Sequence, residues 1–110
     1  MADTVGGEPE AAAPDPAKVA ATSLDSLVRA LDREGVDAPT ARSLAQAMRG
    51  LLPRLGRDDR VRAHVGLVRA HILTGDVVAA CEALRTATAS ARRPAQRAEI
   101  RRLDEQLGCE

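Results

Sequence analysis

A chain of 110 residues allows one domain, and sixteen basic residues balanced by sixteen acidic ones give no global attraction to nucleic acid or anionic lipid. No charged leader precedes an apolar run, and the longest apolar stretches are a few residues, far short of the roughly 20 needed to cross a bilayer, so a cytoplasmic protein is expected. Phe, Tyr and Trp are absent, so the core must be built from Leu, Val, Ile, Met and Ala, without the roughly 150–250 Å² that each buried aromatic removes from water.

The first 22 residues are rich in Ala, Pro, Gly and acid and carry almost no large apolar side chain, so they read as a disordered tail. Asp3, Glu8, Glu10 and Asp15 against Lys18 give this segment a charge of −3, leaving +3 on the remainder, residues 23–110. A first helix is expected over 23–34, with Ser23 as N-cap, Leu24, Leu27, Val28 and Leu31 on one face, and Gly35 as its stop. Asp37 followed by Ala38-Pro39 starts a second helix, about 38–55, whose apolar face is Leu44, Met48, Leu51, Leu52 and Leu55. Pro53 should bend or close its last turn.

Asp58 or Asp59 can cap a third helix carrying Val61, Val65, Leu67, Val68 and Ile72 and ending at Thr74-Gly75. Asp76 caps a fourth, with Val77, Ala80, Cys81, Leu84 and Ala87 as a seam of mostly small residues. Pro94 opens a fifth, a cap over 94–108 with Ile100, Leu103 and Leu107 on one stripe. No segment alternates with the two-residue period of a strand.

Leu27-Val28-Arg29-Ala30 recurs as Leu67-Val68-Arg69-Ala70, and the same forty-residue offset superimposes Gly35 on Gly75, Leu44 on Leu84 and Ala47 on Ala87. This is the mark of a helical repeat array, with units at about 23–55 and 58–91. In the second unit His64, Leu67-Val68, His71, Gly75, Ala80, Leu84 and Ala87 occupy in order the signature places of a tetratricopeptide repeat. In the first unit Leu24, Leu27-Val28, Leu31, Gly35, Thr40, Leu44 and Ala47 do the same. Over about residues 23–92 the chain therefore resembles that family, although its aromatic places are non-aromatic, Thr40 replaces a small Ala, the closing prolines fall late, and the period is forty; a HEAT-like hairpin array is the rival.

The resemblance implies an all-α fold, two antiparallel helical hairpins stacked as a short solenoid with a capping helix, and a groove lined by the first helix of each repeat that clasps a segment of a partner protein. Arg29 and Arg69 would then point into the groove with Arg62 and Arg33 nearby, a ladder of forked donors suited to the carboxylates of an acidic or C-terminal segment. The expected function is a non-enzymatic protein–protein interaction module or small adaptor. Two repeats leave an open end, so a homodimer or a partner's helix is expected to cover it.

A third class is nucleic-acid regulation through Arg92, Arg93, Arg97, Arg101 and Arg102, which gather around Glu99 with a local charge of +4. Zero overall charge and the lack of any aromatic for base stacking weigh against it. Fifteen of the sixteen basic residues are Arg and Ala is abundant, a composition that suggests a GC-rich bacterial gene. His64 and His71, two helical turns apart, could be sketched with Cys81 as metal ligands, but the gap is too long for the usual His pair on one helix, and core or interface histidines are expected. No phosphate loop, nucleophile elbow or zinc-binding helix is present, so neither an enzyme nor a cofactor is expected. Cys81 and Cys109 are too few for a disulfide scaffold and match no metal or redox pair, which favours a reducing compartment. Cys109 is expected at the surface, where oxidation could crosslink two copies, although incidental placement is the expected reading.

Overall fold

The computed structural model describes residues 15–109. They form five helices, α1 (Pro16–Leu31), α2 (Ala38–Leu51), α3 (Arg57–Thr74), α4 (Val77–Ser90) and α5 (Pro94–Leu107), and no strand occurs among them. Most helix boundaries have a local cause, and several differ from expectation.

α1 starts seven residues before Ser23. The Asp15 carboxylate accepts from the Ala17 amide at 3.0 Å and Pro16 occupies the first turn, a stronger start than Ser23 offers. The stretch from Ala17 to Thr22 has one large apolar residue, Val19, which is exposed, but Ala17, Lys18, Ala20 and Ala21 are good helix formers, and Ala20 is buried one turn before Leu24. Residues 16–22 are thus helix and not tail, while residues 1–14 lie outside the described part. α1 also ends early, at Leu31, and Gly35 sits in the connection with φ +77°.

Asp37 caps α2 through Thr40 N at 3.0 Å, and hydrogen bonding from the Thr40 side chain first, then from its amide, holds the Asp37 carboxyl below its ordinary pKa. Instead of running to residue 55, α2 stops at Leu51 and tightens into a 3₁₀ turn over Leu52–Arg54, because Pro53 can donate no backbone hydrogen bond. α3 begins on Gly56, with no side-chain cap. Asp58 and Asp59 fall inside its first turn, where their charge suits the helix dipole.

The α3–α4 corner takes two residues. Gly75 adopts φ +78°, its amide and that of Asp76 donate to Ile72 O and His71 O at 3.1 and 2.9 Å, and the Asp76 carboxylate then accepts from Ala79 N at 3.0 Å. One dipeptide thereby closes one helix and opens the next.

α3 is packed against all four other helices. Its buried residues, Val61, Ala63, Val65, Gly66, Leu67, Val68 and Ala70, go most of the way round the helix, as befits an element with neighbours on several sides. Leu24, Met48, Val61 and Val68 are the largest fully enclosed side chains. Burying each contributes roughly 1.5–3 kcal/mol, so four of them are a large share of what a small aromatic-free core can supply.

Burial also separates the two copies of the repeated tetrapeptide. Leu67 and Val68 are buried on central α3, whereas Leu27 and Val28 are half-buried on peripheral α1. Val77, expected in the α4 seam, is exposed on its first turn, while Ala80, Cys81, Leu84 and Ala87 are buried as the seam requires.

The cysteines correct a second expectation. Cys81 and Cys109 form a disulfide with a Cα–Cα distance of 5.7 Å, joining the first half of α4 to the residue just beyond the Gly108 cap of α5. Neither is a free thiol, and Cys109 is half-buried. The argument for a reducing compartment therefore loses its support, since a disulfide persists best in oxidising surroundings. No helix among the described residues is long and apolar enough to cross a membrane.

Candidate binding clefts

The four arginines singled out as a groove ladder are not equivalent. Arg62 reaches from α3 to Asp25 on α1 and also bonds Asp59 at 2.8 Å, and Arg69 reaches from α3 to Asp32 just after α1. Both interhelical pairs span thirty-seven residues, because α1 and α3 lie side by side and each pair repeats seven residues further on. Partial burial disfavours the Arg62 charge, but the Asp25 and Asp59 hydrogen bonds outweigh it and raise its pKa. Arg29 and Arg33 are exposed. The α1–α3 face thus has two arginines held by the chain's own carboxylates and two in solvent. Beside Arg69, Leu31, Ile72, Leu73, Leu103 and Gln106 line a small cleft of about 230 Å³ between α1, α3 and α5.

A larger cleft, about 800 Å³, lies between α4 and α5. Its floor is apolar, formed by Leu84, Ala91 and Ile100 with the Cys81–Cys109 bridge, and its lining also carries Arg85, Arg97 and Arg101 and a single acid, Asp104. Among the described residues none of these three arginines has a carboxylate within 4.0 Å. Arg97 Nε donates to Ala91 O at 3.3 Å, which anchors that side chain at the cleft edge. Guanidinium groups over an apolar floor can hold carboxylates while the floor takes up apolar side chains.

The C-terminal arginine cluster is divided by the fold. Arg93 turns back to Asp58 at 2.8 Å, Arg97 and Arg101 line the cleft, and Arg92 and Arg102 face solvent. Five arginines close in sequence therefore form no single stripe.

The two histidines sit half-buried on α3, facing α4 and α2 respectively. His64 lines a polar cleft with Arg57, Arg60 and Ser90. Burial and the nearby Arg60 charge lower its pKa. His71 Nε2 lies 3.0 Å from Arg49 Nη2, an arrangement that needs the neutral ring as acceptor. Its pKa is lowered by burial and by Arg49, with Asp76 pulling the other way. Cys81, spoken for by the disulfide, is no ligand for either, and no group of three metal-binding side chains occurs among the described residues.

The α4–α5 cleft was not legible as a site, although one signal was available. If α5 folds back antiparallel on α4 about residues 91–93, Cys81 and Cys109 come to the same end, and Leu84, Arg85, Ile100 and Arg101 face each other across the seam. No protein-family model, curated protein or solved structure matches this chain.

Proposed function

We propose that this protein is a non-enzymatic interaction module, a short tetratricopeptide-like stack that holds an acidic amphipathic segment of a partner protein in the α4–α5 cleft. The observation that carries the reading is the pairing of an apolar floor at Leu84, Ala91 and Ile100 with three lining arginines that have no carboxylate partner among the described residues. The order of packing is consistent with it. α3 packs against all four other helices, whereas α5 packs chiefly against α4 and less against α3. A partner helix laid along α4 and α5 would bury the apolar floor as a further hairpin would.

The cleft is favoured over the Arg29, Arg33, Arg62 and Arg69 face on electrostatic grounds. A ligand carboxylate there must displace Asp25, Asp59 or Asp32 from Arg62 and Arg69, which offsets most of its gain. The test is a photo-crosslinking amino acid introduced at Ala89, an exposed position on the cleft, and at Ala47, an exposed position on α2, in cells that make the protein. A covalent adduct from position 89 that maps to an acidic partner segment and disappears in Arg85→Glu/Arg101→Glu is the expected result. Equal adducts from both positions, or an adduct indifferent to the charge reversal, would overturn the reading.

A further inference from the structure

A second cleft, of about 540 Å³, is lined by Arg57, Arg60 and His64 of α3 and by Ser90 at the end of α4. The three α3 residues follow one another at spacings of three and four, so they share one face of the helix. Every lining side chain can donate a hydrogen bond, two are permanently cationic, and none is a carboxylate. Among the described residues Arg57 and Arg60 have no acidic partner within 4.0 Å, in contrast to Arg62 and Arg69 on the same helix. The two acids of the first turn are directed elsewhere, Asp58 to Arg93 and Asp59 to Arg62, each at 2.8 Å.

We propose that this cleft is a phosphate site, in which Arg57 and Arg60 hold a tetrahedral oxyanion while the His64 ring and the Ser90 hydroxyl donate to its remaining oxygens. Two forked guanidiniums with two further donors match three or four acceptor oxygens better than the two of a planar carboxylate. The bound species is either free phosphate or a phosphoryl group on a small ligand. Filling the site also answers an electrostatic tension, since the Arg60 charge that disfavours protonation of His64 would be balanced by the anion.

The absence of Phe, Tyr and Trp makes the test direct, because the ring proton signals of His64 and His71 stand alone in the aromatic region. Ring resonances are followed against pH with inorganic phosphate, then with O-phosphoserine, and with chloride at matched ionic strength. Phosphate is expected to raise the His64 pKa saturably and leave His71 near its starting value, with chloride inactive. Arg57→Ala/Arg60→Ala, at two exposed positions without side-chain partners in the described fold, should weaken the effect at least about tenfold while circular dichroism stays unchanged. Tighter binding of O-phosphoserine assigns the phosphoryl group, and tighter binding of inorganic phosphate assigns the free ion. Equal movement of both histidines, an equal effect of chloride, or an unaltered response in the double variant would refute the site.

Discussion

A Cβ atom on Gly66 would lie 2.7 Å from the Sδ of Met48, so α2 and α3 cross at a distance that no side chain on α3 permits unless Met48 moves. Met48 is fully buried, with Leu31 also close to the glycine, so its thioether end has little room to yield.

Gly66→Ala therefore sets two effects against each other. Alanine gains about 1 kcal/mol of helix propensity over glycine, and overpacking costs typically 1–3 kcal/mol, so a net loss of about 1 kcal/mol is expected by urea unfolding. In a Met48→Ala background the obstacle is gone and the same substitution should become stabilising. A cycle with no coupling between the two positions would show that α2 and α3 do not meet in this way.

The disulfide closes a loop across a sequence separation of 28 residues, so breaking it releases the denatured chain. In the chain-entropy picture the loss is about 3.6 kcal/mol. Thermal melts of the oxidised protein should fall markedly on adding reductant, and Cys81→Ser/Cys109→Ser should melt low with or without it. A native melt indifferent to reductant would contradict the link.

Acid should weaken the fold through the histidines. Both His64 and His71 have lowered pKa values, the first through burial and Arg60, the second through burial and Arg49 against the opposing Asp76. Above the unfolded-state value of about 6.5 both states hold neutral rings and nothing is lost. As the pH falls through that value the unfolded chain takes up protons first, and stability declines until the lower native values are passed. Urea midpoints measured from pH 8 to pH 5 should drop more steeply for the native chain than for His64→Gln/His71→Gln. Parallel profiles would count against the neutral rings.

At the α3–α4 corner, Gly75→Ala forces a side chain into φ +78°, with a cost of roughly 1–2 kcal/mol. Asp76→Ala removes the cap on Ala79 N and should cost about 1 kcal/mol. Denaturant midpoints for the two single variants and the double variant would check both values; a stabilised Gly75→Ala would mean the corner is built otherwise.

The arginine pairs on the α1–α3 face are only half-buried and remain reached by solvent, so they should matter little to stability. Arg62→Ala and Arg69→Ala are each expected to cost about 1 kcal/mol or less, with the difference shrinking in high salt. Because these side chains engage Asp25, Asp59 and Asp32, Arg29→Ala/Arg69→Ala should leave partner crosslinking from position 89 intact. Loss of the adduct in that variant would move the binding face back to α1 and α3.

Much of the fold could be read locally. Asp37, Pro39, Gly75, Asp76 and Pro94 mark helix ends through hydrogen bonds and dihedral limits that span only a few residues, and those ends lie where expected. Failures came where a local signal had a stronger local competitor, as Asp15-Pro16 outcompetes Ser23, or where Pro53 ends α2 sooner than its apolar stripe suggests. Burial of the repeated tetrapeptide could not be read from the repeat, because Leu27 and Leu67 are each followed by Val-Arg-Ala while the number of helices around them differs.

Five amphipathic or small-residue segments and the turns between them follow from local order along the chain, since helix periodicity, capping and glycine dihedrals are properties of residues a few places apart. Tertiary structure alone decided which arginines are spoken for and which line a cleft, and that Cys81 meets Cys109. Asp25 and Arg62, thirty-seven residues apart, come within ion-pair distance only because α1 lies beside α3, while Arg85, Arg97 and Arg101 share a cleft only because α5 folds back on α4. Charge pairing depends on separation in space, and packing the helices around α3 sets those separations.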